Sequence, residues 1–237
     1  MPDSRDKRLV WRITEREQTM EIIKIIGLAV AALCMYAAGF LYIHKKKIRM
    51  IYPLKRKEKV FVGITVLVIL ALSVTLVYGF AETNSFLHNM RLLLLYGIIC
   101  PIAFIDYYDK IIPNKLLLFS AFVWLITVGI EVFVDSSNVY NDFKSSIIAM
   151  AAIFVIGIVC KVLVKNSVGM GDIKLFMIMG LFQGTTGMAG AIFISLLVAF
   201  FGACGMLLTK RKNRKDTISF GPFILIGTTI SMFLTGV

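Results

Sequence analysis

Residues 92–114 read LLLLYGIICPIAFIDYYDKIIPN, an apolar run that stops at an aspartate and is followed by a polar turn. A run of this composition is typical of a helix inside a membrane domain. We predict a helix over about residues 92–105, with Asp106 directly after it. Pro113 and Asn114 should form the turn that stops this segment and starts the next helix.

The composition of the whole chain indicates the same class of fold. Of its 237 residues, 58% are hydrophobic and 17% are charged, and the mean hydropathy is +0.84. Soluble domains carry about a quarter charged residues, so a water-soluble enzyme and a disordered chain are excluded. The four cysteines are isolated in apolar runs without a C-x-x-C spacing, which favours small buried hydrophobic residues over a metal site.

Eight apolar runs predict an all-α, polytopic integral membrane protein with about eight transmembrane helices. We expect a polar tail at 1–20 and a single membrane-embedded domain at 21–237, which contains a short basic loop at 44–59. The runs lie at about residues 21–43, 60–80, 92–105, 116–134, 145–164, 173–182, 187–209 and 218–236.

The net charge of +12 follows from the loops between these runs. Of the 26 lysines and arginines, 18 lie in the loops 44–59, 106–115, 161–174 and 210–215. Seven more, including Arg91 and Lys144, fall on the opposite side. Since cytoplasmic loops are enriched in basic residues, we expect the first set in the cytoplasm. The charge then reflects topology, and the expected partner is the lipid bilayer rather than nucleic acid.

Two of the runs, 92–105 and 173–182, are shorter than a lipid-facing helix requires. Short spans are tolerated where they line a cavity enclosed by protein. Asp106 follows the first run and Asp172 precedes the second. Two predicted spans separate the aspartates, so both should face the same side of the membrane.

Asp172 closes the sequence Gly169-Met170-Gly171-Asp172, which leads into Ile173 and Lys174. An ionisable residue at membrane depth is a candidate functional residue by default. Two carboxylates held close together share one proton, which is the state that aspartyl proteolysis requires. Glycines beside Asp172 would let a peptide backbone approach it.

These motifs resemble those of the type IV prepilin peptidases, which are GxGD-type intramembrane aspartyl proteases. The resemblance covers about residues 21–236 and includes the late sequence 219–223, Ser-Phe-Gly-Pro-Phe. It implies that Asp106 and Asp172 are the catalytic pair. The residues that would bind substrate or shape the site are Gly169, Gly171, Lys174, Pro113, Asn114, Gly221 and Pro222.

The resemblance also implies an activity and a location. The enzyme would cleave the leader peptide of type IV prepilins or pseudopilins, in pilus assembly or protein secretion, at the cytoplasmic face of the plasma membrane. The cut follows a glycine that ends a short basic leader, just before the hydrophobic helix of the pilin. Many members have a cysteine-rich zinc insert after the first helix and N-methylate the product. The corresponding loop at 44–59 contains no cysteine, so we expect no metal or other cofactor and regard N-methyltransferase activity as doubtful.

Several alternatives remain open from the sequence. Asp109 lies three residues after Asp106 and competes with it for the first catalytic position. Lys174 would either stabilise a carboxylate or extend to the interface, and Gly221-Pro222 would either break the last helix near the site or simply start it. A presenilin-like protease, a pilus-assembly platform without catalysis and a proton-coupled small transporter using intramembrane aspartates are the rival functions.

Overall fold

The computed structural model describes residues 4–45, 56–80, 83–134, 136–163, 169–208 and 218–237. Within these ranges the chain is all helical, and no strand is present. The helices are α1 (Ser4–Lys45), α2 (Arg56–Tyr78), α3 (Phe86–Asp109), α4 (Asn114–Val134), α5 (Ser136–Leu163), α6 (Met170–Leu208) and α7 (Gly221–Thr235). Most of the basic loop at 44–59 and all of the loop at 210–215 lie outside the described residues.

The all-α membrane fold is confirmed, but the expected number of about eight spans is not. Among the described residues, six helices are long and apolar enough to cross a membrane, and α7 is apolar but shorter. Gly184 breaks α6 with φ 67° and ψ −166°, a conformation that glycine adopts without a Cβ clash. The break divides α6 into the segments 170–183 and 185–208, near the predicted boundary between runs 173–182 and 187–209.

Helix α3 is the centre of the bundle, and the short span predicted at 92–105 is wrong in length. The helix begins at Phe86, where the N-cap Ser85 accepts a hydrogen bond of 3.1 Å from the His88 N–H, and it continues to Asp109. A pattern of apolar residues does not record the polar ends of this helix. In its most apolar stretch of 18 residues, 89% of the residues are buried. The corresponding share is 11–33% for the other five candidate spans.

Small residues let the surrounding helices pack closely against α3 and against each other, as is common between membrane helices. A Cβ added at Gly97 would lie 2.6 Å from the Ala32 carbonyl oxygen, so the backbones of α1 and α3 nearly touch. Gly227 of α7 similarly faces the backbone of Ser195 in α6. Helix α3 contacts α1, α2, α4, α6 and α7, which leaves its surface largely covered by protein.

The outer surface of the bundle is apolar. Leu118, Phe133, Leu163 and Phe200 are 64–92% exposed, which indicates a lipid-facing surface. Two of the cysteines contradict the expectation of burial, because Cys34 and Cys160 are exposed on this surface while Cys100 is buried in α3. Helical periodicity turns part of every apolar run toward lipid, so an apolar neighbourhood in sequence does not imply burial.

Candidate active site

Asp106 lies in the last turns of α3, and its side chain is only 5% exposed. The backbone N–H of Gly221, the first residue of α7, donates a hydrogen bond of 2.7 Å to Asp106 Oδ2. Unpaired N–H groups at a helix N-terminus are well placed to bind a carboxylate. A Cβ at Gly221 would lie 2.9 Å from the Asp106 Cβ, so this approach requires glycine.

The turn after α3 positions the first half of the site. Lys110 ends the helix in the left-handed conformation, with φ 54°, and its N–H donates a 3.0 Å hydrogen bond to the Asp106 carbonyl oxygen. The carbonyl oxygen of Pro113 accepts hydrogen bonds of 3.1 and 3.3 Å from the N–H groups of Leu116 and Leu117, which starts α4. Pro113 therefore acts as the predicted turn residue between the two helices.

Asp172 lies in the first turn of α6 and is partly exposed. Its carboxylate accepts a hydrogen bond from the backbone of Gly169, three residues earlier, as the acidic residue of a capping box does. A Cβ at Gly169 would lie 2.8 Å from Asp172 Oδ2. The absence of a side chain at Gly169 thus lets the carboxylate reach the Gly169 N–H.

Direct contacts join the two motifs. A Cβ at Gly171 would lie 3.1 Å from the Cβ of Ile112, so the turn after α3 packs on the start of α6. Lys174 Nζ donates a hydrogen bond of 3.0 Å to Asn114 Oδ1. The carboxyl groups of Asp106 and Asp172 are close enough to interact electrostatically, although 65 residues separate them in the sequence.

The structure places candidate site residues in direct contact: Gly221 with Asp106, Gly169 with Asp172, and Lys174 with Asn114. Gly221-Pro222 starts α7 and does not break it, as the second alternative predicted, and Gly221 also contacts Asp106. Asp109 is more exposed than Asp106. The catalytic role of the Asp106 and Asp172 pair stays a prediction. Within the described ranges, no group of three or more His, Cys, Asp or Glu side chains is arranged to hold a metal ion.

A cavity of about 560 Å³ opens at this end of the bundle, and the residues that directly follow Asp106 in α3 line it, although Asp106 itself does not. Tyr107 and Tyr108 form one wall, and Pro222 and Phe223 of α7 form another. Its rim includes polar groups of Lys110 and Ser219. The cavity is large enough for several residues of an extended peptide, within the range of volumes that ligand sites occupy.

Replacing Gly221 with alanine should reduce catalysis, because the new methyl group would meet Asp106 Cβ at 2.9 Å and the Ala103 Cα at 3.1 Å. Displacing a catalytic group by about 1 Å costs about a hundredfold in rate. We expect kcat to fall by about that factor while the protein still inserts into membranes. The matched control is Gly205→Ala, where no atom lies within 4 Å of the added Cβ. Equal activity of the two variants would show that the close contact is unimportant.

Lys174→Met tests whether Lys174 acts on a carboxylate or only links two helices. Its Nζ is hydrogen-bonded to Asn114 on the exposed side of the motif, and exposed polar contacts contribute about 1 kcal/mol or less. We expect a small loss of thermal stability, equal to that of Asn114→Ala and not increased in the double variant. A far larger loss of kcat in Lys174→Met than in Asn114→Ala would instead assign Lys174 to the chemistry.

The sequence analysis missed a buried ion pair near the other end of α3, away from Asp106. Arg91, expected in a loop, is 2% exposed, and its Nη1 lies 3.1 Å from Glu131 Oε2 in α4. Its Nη2 lies 2.9 Å from His88 Nδ1 and 3.4 Å from Asp142 Oδ2. A single glutamate within the apolar run 116–134 was the available signal, because such a charge needs a partner.

Comparison with known proteins adds to this geometry. Residues 93–207 match the model of the type IV leader peptidase family. The chain is similar to the prepilin leader peptidase/N-methyltransferase of Bacillus subtilis (strain 168), with 26% identity over 55% of the chain and 50% of that protein. It is similar to the protein of the same name from Xanthomonas campestris pv. campestris, with 29% identity over 54% of the chain and 44% of that protein.

The chain thus spans about half the length of these curated relatives. No solved structure matches it. The matched segment begins within α3 and ends within α6, so it includes both aspartate motifs.

Proposed function

We propose, from the match of residues 93–207 to the type IV leader peptidase family, that this chain cleaves the leader peptides of type IV prepilins or pseudopilins as an aspartyl endopeptidase. The observation that carries the proposal is the meeting of two carboxylates from separate helices. Asp106 and Asp172 interact electrostatically, and both lie within the matched segment. Gly221, which lies outside the matched segment, donates a hydrogen bond to Asp106.

The proposed chemistry needs one proton shared by the pair. The ionised aspartate removes a proton from water, whose oxygen attacks the carbonyl carbon of the glycine that ends the leader. The protonated aspartate donates a hydrogen bond to the carbonyl oxygen and stabilises the negative charge that develops there. Collapse of the tetrahedral intermediate breaks the C–N bond, and the proton passes to the leaving amine.

The substrate must present an extended backbone, because helical carbonyl groups are already hydrogen-bonded. The junction between the leader and the hydrophobic helix supplies such a segment. The cavity bounded by Tyr107, Tyr108 and Phe223 offers space for it at the end of α3 that carries Asp106. We propose that this end of the bundle faces the cytoplasm from the plasma membrane, which the excess of basic residues in the same-side loops supports.

The relatives are named for N-methyltransferase activity as well. We propose a peptidase without that activity for this chain, because its loop at 44–59 has no cysteine. Mass spectrometry of the mature pilin separates the two cases, since a methylated N-terminus adds the mass of one methyl group. An added methyl group that depends on the enzyme and on S-adenosylmethionine would overturn this part of the proposal.

The test of the function is cleavage by purified protein in proteoliposomes. Candidate prepilins are incubated with the protein, and the products are sized by mass spectrometry. Cleavage after the glycine that ends the basic leader is the expected result. Ion or solute flux that depends on Asp172, without cleavage of any prepilin, would favour the proton-coupled transporter instead.

A further inference from the structure

A second and nearly apolar groove, of about 530 Å³, lies between α2, α3 and α7. Its floor is formed by Ala103 and Phe104 of α3, and Phe104 is packed between the rings of Phe61 and Tyr108 at centroid distances of 5.5 and 4.9 Å. The walls are residues of α2 and α7: Phe61, Ile64, Val68, Leu225, Ile226 and Ile230.

The groove adjoins the end of the bundle that carries the candidate active site. Tyr107, Tyr108 and Pro222 line both the groove and the 560 Å³ cavity. Ala103 belongs to the floor, and its Cα is 3.1 Å from the position where a Cβ on Gly221, the residue that contacts Asp106, would lie. A substrate segment in the groove would therefore continue into the cavity at the end of α3 that carries Asp106.

The far end of the groove lies deep in the bundle. There, Thr229 Oγ1 donates a 3.1 Å hydrogen bond to Tyr96 Oη, so the polar groups of both lining residues are already paired. From Tyr107 to Tyr96 the floor follows about three helical turns, or about 16 Å. A docked helix with anchors at positions i, i+3 or i+4, and i+7 spans about 10 Å along its axis, so the floor is long enough for it.

The groove is also open to the lipid. Ile64 is 56% exposed and Ile226 is 45% exposed, so a segment already in the bilayer can enter sideways. The surface of the groove is nearly all apolar, and the hydroxyl groups of Thr65, Tyr96 and Thr229 in its lining are already hydrogen-bonded. Backbone groups of a bound peptide that are left unpaired at this depth cost several kcal/mol each. The occupant must therefore satisfy its own hydrogen bonds, which requires a helix and excludes an extended leader.

We propose that this groove binds the hydrophobic helix of the prepilin and so positions the preceding junction at Asp106 and Asp172. The inference rests on the proposed function, which supplies a substrate with an apolar helix directly after the cut. The two cavities would hold different parts of the substrate. The extended junction lies beside Phe223 and Lys110, and the hydrophobic helix lies between α2 and α7.

Ile64→Trp and Ile226→Trp test this assignment by filling the groove. The measured quantity is the ratio of kcat/KM for the full prepilin to that for a short peptide that spans only the junction. A tryptophan in the groove would occupy space that the substrate helix needs and would weaken the binding of that helix by about tenfold or more. We therefore expect this ratio to fall by at least about tenfold. Ile156→Trp on α5 is the matched control, because Ile156 is 57% exposed outside the groove.

Photo-crosslinking provides a second measurement that does not depend on cleavage. A photoreactive phenylalanine at position 64 or 226, in the Asp172→Asn background, should crosslink to the prepilin helix, and the same residue at position 156 should not. An unchanged ratio, crosslinks to lipid alone, or equal crosslinking from position 156 would overturn the inference. If the unmodified protein cleaves neither substrate, the proposed function itself fails.

Discussion

Replacing Asp172 with asparagine should abolish prepilin cleavage, and Asp106→Asn should do the same. Asparagine keeps the size of the side chain but neither takes a proton from water nor shares one with its neighbour. Acid–base catalysis by a positioned group contributes about 10²- to 10⁴-fold, so we expect kcat to fall by about 10³-fold or more in each variant. The double variant should be no worse than either single variant, because the two carboxylates act as one unit.

Asp109→Asn is the matched control for this pair. Asp109 lies one helical turn after Asp106 but is more exposed and ends α3. We expect its variant to cleave prepilin at close to the unmodified rate, with similar membrane insertion and thermal stability. Loss of activity in Asp109→Asn together with normal activity in Asp106→Asn would move the first catalytic position to Asp109. Normal activity in Asp172→Asn would refute the aspartyl mechanism.

Of the substitutions considered for this protein, Arg91→Met should lower the free energy of unfolding the most. The guanidinium is 2% exposed and paired with Glu131, which is also buried, so removing it leaves a carboxylate without its cation inside the bundle. Breaking a buried ion pair from one side costs about 3–5 kcal/mol. We expect a loss of that size in the free energy of unfolding, measured by denaturant titration in detergent, with kcat of the folded fraction unchanged.

The double variant Arg91→Met with Glu131→Leu should recover most of this stability, since replacing both charges by apolar side chains is often neutral. Lys144→Met is the control, because Lys144 is exposed on α5, two residues after Asp142, the second carboxylate near Arg91. If Arg91→Met and Lys144→Met unfold at the same denaturant concentration, the ion pair contributes little and the packing of α3 against α4 is sufficient.

The span predictions succeeded where apolar residues alone define a helix and failed at polar ends. Helix α4 was predicted at 116–134 and lies at Asn114–Val134. The helix predicted at 92–105 instead starts at the capped Phe86 and continues through Asp106 to Asp109. Caps and buried polar residues extend a helix through hydrogen bonds and partners, which a hydropathy pattern does not record.

The candidate site residues could be named from the sequence for a specific reason. An ionisable residue beside an apolar run is a candidate functional residue by default, so Asp106, Asp172 and the glycines next to them stood out by composition and spacing, while their proposed roles came from the family resemblance. Arg91 was assigned to a loop because its position next to an apolar run looks the same whether its partner is water or Glu131. Only the packing of α3 against α4 distinguishes the two cases.

The sequence alone determined the membrane class and the order of the apolar helices. It also predicted that Asp106 and Asp172, which lie on separate helices, are at the same end of the bundle. These properties depend on composition and on the number of crossings, which are local or countable along the chain. The tertiary structure decided that Gly221 of α7 contacts Asp106, that Arg91 pairs with Glu131, and that α2, α3 and α7 enclose an apolar groove. Each of these depends on which faces of distant helices meet, and an apolar face carries the same pattern whether it packs against lipid or against another helix.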